Sequence, residues 1–511
     1  MADFVLVIEA DPDRRREFLA EAQVAVARQA GLVVGMAEAG ALAVAWARGP
    51  RSPHDIETAD DRLELLLGYA LAETGPRITA AHLATPRSAP MQEPRALDGY
   101  FVGIAWDDDR GLAVSGDPFG LFPIYHAAGR GMGHARPLVV ASTPALAARF
   151  CGSRSEPAAF DPTGLAGILL TNGLLGDRTL LAGVRRLSVG HGLRWTSRGG
   201  TQEVMTHALT MEPDFQRLDA PSLDGLVDGE LRAAIRRHAP TCGTAGLMLS
   251  GGLDSRLMAG YLAAEGATDR AVTLGRPEDF EAIAARGVAT AAGWSNWTIA
   301  EEDDVDTLVA AARRLATTEC LTGGLSSLET DAESRHVGRM SPEFWSGFVA
   351  DDILGGYAAR FGRDQVGTRW SAANFFDRIN RWGLPPAACG ELLSGADGAG
   401  IVEMLIADFR RAYDAGPGSP FQQSFRMKLA TRVRHHIGSV LHRISFHSWP
   451  LLPVLDRRIV HAMFNAPFDH IANRQLEVRL LGRSAPALAN VPLDTNSFRL
   501  EPVRPAGAGN R

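Results

Sequence analysis

The chain has 511 residues, 46% of them hydrophobic, and a formal net charge of -7. That length supports more than one domain core. The acidic balance gives no footing for non-specific nucleic-acid binding, and no apolar run reaches the roughly 18 residues that a membrane span needs. Residues 1–6 begin acidic and run into Glu9 and Asp11, without the basic head of a signal peptide, so a cytoplasmic location is expected. Four cysteines, Cys151, Cys242, Cys320 and Cys389, show no C-x-x-C spacing and suit packing in a reducing compartment. Lys428 is the only lysine, so a lysine-dependent step has one candidate.

In chain order, residues 1–205 read as a strand-rich unit. Strands are expected at Phe4–Glu9, Leu32–Met36, Tyr100–Trp106, Gly111–Ser115, Leu138–Ala141 and His191–Thr196, with loops at Pro50–Asp60 and Ala84–Pro94. A polar stretch, Thr206 to Pro221, separates this unit from a helix over Leu223–Arg237. Strands then alternate with helices to about Leu488, which predicts a parallel sheet covered on both faces. Its buried strands are expected at Ala245–Leu249, Arg270–Leu274 and Glu343–Ser346. The Pro-, Gly- and Ala-rich end, taken as residues 499–511, is expected to be disordered.

Two loops carry chemistry. Leu249-Ser250-Gly251-Gly252-Leu253-Asp254-Ser255 lies between a buried strand and an apolar-periodic helix. Its glycines let backbone N–H groups approach an anion. The helix N-terminus adds partial positive charge, Ser250 and Ser255 offer hydroxyls, and Asp254 offers a metal ligand. This suits a pyrophosphate, and it is not a Walker A loop. An ordinary strand–helix turn is the bland alternative. The second loop, Trp345-Ser346-Gly347-Phe348-Val349-Ala350-Asp351-Asp352-Ile353-Leu354-Gly355-Gly356-Tyr357, presents two adjacent carboxylates. Beside a triphosphate they call for a divalent cation, and magnesium prefers one or two carboxylates plus phosphate oxygens. A solvated acidic turn is the alternative there.

The first loop resembles the S-G-G-x-D-S loop of adenine-nucleotide alpha hydrolases. Both loops together resemble the synthetase domain of the asparagine synthetase family, whose second loop reads S-G-E-G-x-D-E-x-x-G-G-Y. The resemblance implies ATP and Mg2+ as cofactors, with Asp254 and Asp351 sharing the metal. It implies that Leu249, Val272, Leu274 and Gly347 line the adenosine and that Ser250, Gly251, Gly252 and Ser255 hold pyrophosphate. Catalytic roles are implied for Asp254, Asp351, Asp352 and Arg443. A third family segment, D-R-x-S-M…E-x-R-x-P-F-L-D, survives here at Arg443, Ser445, Pro453, Leu455 and Asp456. Trp449 and Leu451 replace its Glu and Arg, which argues against aspartate as substrate.

The family's N-terminal glutaminase domain is matched by Leu97-Asp98-Gly99-Tyr100-Phe101 (L-N-G-x-F), by Asp117-Pro118-Phe119-Gly120 and by Gly183 to His191. The fold class implied is α/β with two domains. Residues 1–205 form a glutaminase-like αββα sandwich of N-terminal-nucleophile type, and residues 222–498 form a parallel-sheet synthetase domain. Position 2 is Ala2, where a working glutaminase has its nucleophilic cysteine. The nitrogen source is then an amine on the substrate itself.

Two branches of the family work this way: β-lactam synthetases and lasso peptide cyclases. Phe348 stands where β-lactam formers have a Tyr, and the region Ala489–Phe498 has no lysine. A β-lactam former is therefore disfavoured, although an Arg could replace the lysine charge, and in length and pattern the chain resembles the lasso peptide cyclases, with a β-lactam synthetase-like or other amine-acylating enzyme as alternative and an inactive scaffold as the non-enzymatic one. By resemblance the partners are a precursor peptide, a leader-binding protein and a cysteine protease, with no nucleic acid and no membrane span. The basic cluster Arg432, Arg434, His435 and His436 is expected on an exposed helix face, with a site for phosphate or a peptide carboxylate as the alternative.

Overall fold

The computed structural model describes residues 3–27, 31–73, 75–86, 88–128, 138–151, 158–240, 243, 245–300, 304–324, 330–355, 371–393, 397–495 and 499–502. Ala2, Cys242, Gly356, Tyr357 and residues 496–498, all singled out in the sequence, lie outside them.

The first unit contains β1 (Asp3–Ile8), β2 (Val33–Ala39), β3 (Leu42–Arg48), β4 (His54–Ala59), β5 (Arg62–Leu71), β6 (Asp98–Asp107), β7 (Gly111–Gly116), β8 (Tyr125–Ala128), β9 (Leu138–Ala141), β10 (Val184–Arg186), β11 (His191–Thr196) and β12 (Gly200–Met205). They form two antiparallel sheets, ordered β10-β8-β9-β1-β3-β2 and β12-β11-β7-β6-β5-β4. Alternation sorts their side chains. Phe4, Leu6, Val44 and Trp46 meet Leu65, Leu67, Val102 and Ile104 between the sheets. Val5, Val7, Ala43 and Ala45 point the other way, under the helices Pro12–Val26 and Pro144–Cys151. The outer face of the second sheet, with Leu66, Ala70, Phe101 and Ala105, is covered by the single 3₁₀ turn Ala80–Leu83. The helical layer expected there is reduced to that turn among the described residues.

The stretch Pro50–Asp60, expected as a loop, contains β4. Its residues are polar because β4 is an edge strand with mostly exposed or half-exposed side chains. β3 also went unread, since its alanines favour helix. Both its faces are covered, and it is buried along almost its whole length.

The second unit opens with the helix Ala220–His238, whose first turn is capped by Asp219. Its sheet is parallel, built from β13 (Gly246–Met248), β14 (Arg270–Leu274), β15 (Ser295–Ile299), β16 (Glu343–Ser346) and β17 (Trp449–Leu451) in the order β15-β14-β13-β16-β17. The chain leaves β13 in one direction and comes back on its other side at β16. That reversal opens a crevice beyond the carboxyl ends of β13 and β16, where ligands bind in such sheets. β17 was not anticipated because Pro450 interrupts it, which an edge strand tolerates. Beyond it, β18 (Pro492–Thr495) pairs with β19 (Arg499–Pro502). The segment expected to be disordered from 499 thus starts as a strand, and residues 503–511 lie outside the described part.

The units dock through polar and aromatic contacts. Trp449 Nε1 donates to the Tyr100 carbonyl at 3.0 Å, and Arg77 pairs with Glu343 at 2.7 Å. Asp98 accepts from Arg237 at 2.9 Å and from Arg457 at 3.1 Å. The helix Pro162–Thr171 of the first unit is sunk among the helices Ala372–Asn380 and Gly398–Asp414 of the second. Among the described residues no helix is long and apolar enough to cross a membrane.

Candidate active site

The loop after β13 turns at Gly251, whose φ is +74°. A Cβ there would meet the Ala285 nitrogen at 2.5 Å, so only glycine lets the loop lie against the helix Phe280–Ala292. The helix Leu253–Ala264 starts directly after it, with Asp254 in the first turn. Ser250 and Ser255 face each other at 3.0 Å between hydroxyl oxygens, and the Ser250 backbone N–H donates to Ser255 Oγ at 3.2 Å. The hydroxyls and N–H groups of the loop therefore converge on one side of the helix N-terminus.

The loop after β16 packs against that same turn. A Cβ on Gly347 would sit 3.2 Å from the Ser255 nitrogen and 3.3 Å from the Asp254 carbonyl. Two residues on, Val349 takes a left-handed φ of +73° and is buried. Such a conformation costs on the order of 1–3 kcal/mol for a non-glycine residue, and strain of this kind gathers at functional sites. It aims the next turn, with Asp351, into the crevice.

The result is a cavity of about 450 Å³ at the switch point of the sheet. Leu249, Ser250, Asp254, Ser255, Val272, Leu274, Gly347 and Asp351 all line it. Gly251 and Gly252 shape the loop from behind, and the Gly252 N–H points to Ser250 Oγ at 3.3 Å. Asp352 faces away from the cavity and pairs with Lys428 at 3.0 Å. Arg443 is buried and approaches Glu319 at 3.6 Å, outside the cavity lining. Of the other surviving third-segment residues, Pro453 and Leu455 are buried in a 3₁₀ turn, and Asp456 caps the next helix and pairs with Arg237 at 2.5 Å. Trp449 and Leu451 are fully buried, with Trp449 against Tyr100 and Phe122.

Two residues that motif reading missed control the charge of the site. Arg474 pairs with Asp254 and, at 2.5 Å, with the buried Glu477. Asn473 and Arg474 both adopt left-handed conformations, with φ of 57° and 59°, which brings the guanidinium in. Burial pushes the Asp254 carboxyl well above its ordinary range, and the Glu477 charge adds to this while Arg474 opposes it. Burial raises Glu477 as well. Among the described residues, Asp254, Glu477 and Asp351 thus outnumber the cation paired with them, Arg474. A divalent ion fits that excess. Among the described residues no group of three metal-ligating side chains converges, so the protein would supply Asp254 and Asp351, and phosphate oxygens would complete the shell.

The far wall of the cavity comes from His436, Ile437, Val440 and Ile444. The basic cluster is not an exposed helix face. His435 and Arg434 are buried between the units, where Arg186 donates to His435 Nδ1 at 2.9 Å and Arg434 pairs with Asp177 at 3.0 Å. Burial, then Arg432, lowers His436 to about 4, so its imidazole is neutral at pH 7.

The glutaminase-like motifs serve structure. Asp117 accepts backbone N–H bonds from Phe119, Leu121 and Phe122, which fixes its turn. Asp98, at the Asn position of the related motif, is held by the two arginines of the second unit.

A family profile described as asparagine synthase matches residues 226–487, just over half of the chain. No curated protein matches it.

Proposed function

The chain belongs to the asparagine synthase family, whose members are ATP-dependent amide-forming ligases, and from that premise we propose that it is a lasso peptide cyclase. In this reading it activates an Asp or Glu side chain of a precursor peptide as an acyl-adenylate. The peptide's own N-terminal amine then displaces AMP and closes a macrolactam. The observation that carries the reading is the single cavity in which both acidic loops meet, in a chain whose first unit presents no cysteine before Cys151.

Ser250, Ser255 and the loop N–H groups would hold the β- and γ-phosphates and stabilise the leaving pyrophosphate. Leu249, Val272 and Leu274 would receive the adenosine. Asp254 and Asp351 would hold Mg2+, which supplies charge neutralisation between the phosphates. Holding amine and acid in one molecule supplies roughly 7–11 kcal/mol of preorganisation in favourable cases. Trp449 and Leu451 replace the charged positions of the related enzymes with buried apolar packing, which supports a substrate other than free aspartate. Phe348 lines the cavity without a proton to exchange, and Lys428 is engaged with Asp352. Both disfavour β-lactam closure. A leader-binding protein and a cysteine protease remain the proposed partners, and the cytoplasm the proposed location.

The test is a product assay with a library of linear peptides that carry a free N-terminal amine and one fixed Asp or Glu. Peptide-dependent AMP and pyrophosphate, with loss of one water from the peptide mass, are expected. Asp351→Ala and Ser250→Ala should abolish AMP formation, with a thermal unfolding midpoint near that of the unsubstituted protein. ADP as the nucleotide product would overturn the reading.

A further inference from the structure

Lys428 is the only lysine in a chain with 52 lysine and arginine residues, and it is buried. A lysine goes under the surface almost only with a partner. Its Nζ lies 3.0 Å from Asp352 Oδ1, with the two side chains 8% and 12% exposed. Neither residue lines the nucleotide cavity, yet Asp352 directly follows Asp351, which does.

The turn that carries the two carboxylates is short and strained. The helix Ala350–Ile353 has four residues. Val349 before it has a φ of +73°, and Gly355 after it has a φ of +102°. Burial of Ala350, Ile353 and Leu354 fixes how deep the turn sits. Apolar packing is non-directional, so it does not set the rotation of so short a helix. A strained conformation persists only where its surroundings over-determine it. The bond from Lys428 to Asp352 supplies that direction, and it comes from a firm base. The helix Pro420–Lys428 begins with a capping box of Ser419 and Gln422. Gln422 donates to Asn465 at 3.3 Å, the Ser424 hydroxyl lies 2.9 Å from that of Tyr413, and Phe425 packs edge-on against Phe464. Arg432 acts on Asp352 by charge, but its guanidinium lies over the Trp382 ring at 4.9 Å, and the hydrogen bond to Asp352 comes from Lys428.

We propose that Lys428 is a positioning residue: through Asp352 it holds the turn that places Asp351 in the nucleotide cavity. Without the lysine, Asp352 is left under the surface with one charge partner fewer, and the turn relaxes toward water and takes Asp351 with it. The proposal rests on the reading that Asp351 binds Mg2+ together with ATP.

The test measures ATP binding to the full chain by titration calorimetry, in MgCl2 and in EDTA, and needs no peptide. In Lys428→Met the Kd for ATP in MgCl2 should rise about tenfold, the low end for losing a group that orients a metal ligand. The Kd in EDTA should stay as in the unsubstituted protein. A lysine that only stabilised the fold would lower the unfolding temperature and leave both Kd values unchanged. In Asp352→Asn the amide oxygen still accepts from Lys428, so the loss should be smaller. The double variant Lys428→Met with Asp352→Asn strands no buried charge, which keeps it folded should Lys428→Met alone not fold. It should lose no more magnesium-dependent affinity than Lys428→Met, because both changes break one link. A Kd in MgCl2 equal to that of the unsubstituted protein in Lys428→Met, or in the double variant, would overturn the role of Lys428 while the nucleotide site stands. Absence of magnesium-dependent ATP binding by the unsubstituted protein would remove both.

Discussion

Among the described residues, Asp254 and Glu477 pair with the Arg474 guanidinium and Asp351 acts on it by charge, and on the proposed function this excess of carboxylates is where a cation would bind. Arg474→Met leaves the buried Glu477 and the partly exposed Asp254 without their counter-ion. Removing one partner of such a group typically costs about 3 kcal/mol or more, so the variant should unfold at a clearly lower temperature by calorimetry. Added Mg2+ should recover more of the midpoint in the variant than in the unsubstituted protein, because binding to the folded state stabilises it by mass action. Equal magnesium responses in the two proteins would count against Asp254 as a ligand. Arg474 was hidden from motif reading because it lies more than 200 residues from Asp254 in the chain. Its one local trace is the Arg474–Glu477 spacing at the start of the helix Gln475–Ser484.

Strands β12 and β8 lie in different sheets of the sandwich, yet Glu203 of β12 accepts from His126 of β8 at 3.1 Å and from the Ser188 N–H at 3.2 Å. Burial alone would raise this carboxyl. The bonds from His126 and Ser188 prevail and depress it from 4.5 to about 2. A depressed carboxyl contributes stability above its unfolded value and loses it as the pH falls through the folded one. Acid unfolding should therefore carry a Glu203-dependent component between pH 4.5 and about 2. In Glu203→Gln, which has no charge to titrate, the unfolding midpoint should be flatter across that window in calorimetric scans. An unchanged slope would show that the link between sheets carries no ionic stabilisation. The expected positions of β6, β7, β9, β11, β14 and β16 were legible because apolar runs and turn residues bound them. The edge strands β4 and β15 were not, since an edge needs few apolar residues to be held by its neighbour.

Across the whole molecule, the two units are joined by charge as much as by packing. Asp98 is buried and answers both Arg237 and Arg457. Asp98→Asn restores the residue of the related glutaminase motif but takes the buried carboxylate from Arg457 and leaves Arg237 with Asp456 alone. A destabilisation of about 3 kcal/mol is expected by denaturant titration. Neither this variant nor the unsubstituted protein should release ammonia or glutamate from glutamine. Measurable hydrolysis by either would overturn the assignment of the first unit as structural. A midpoint unchanged by Asp98→Asn would show that the interface does not depend on this cluster.

The two loops that meet in the cavity were readable in the sequence, because a tight strand–helix turn demands small residues at adjacent positions. The family, the parallel sheet and most of the cavity lining follow from them. Arg474 and Glu477 emerge from folding alone, as does the place of His436 on the cavity wall, which the sequence put on an exposed helix face. Each acts through a partner distant in the chain, and such pairings are set by packing and by the charge a closed cavity must balance, which no local pattern records.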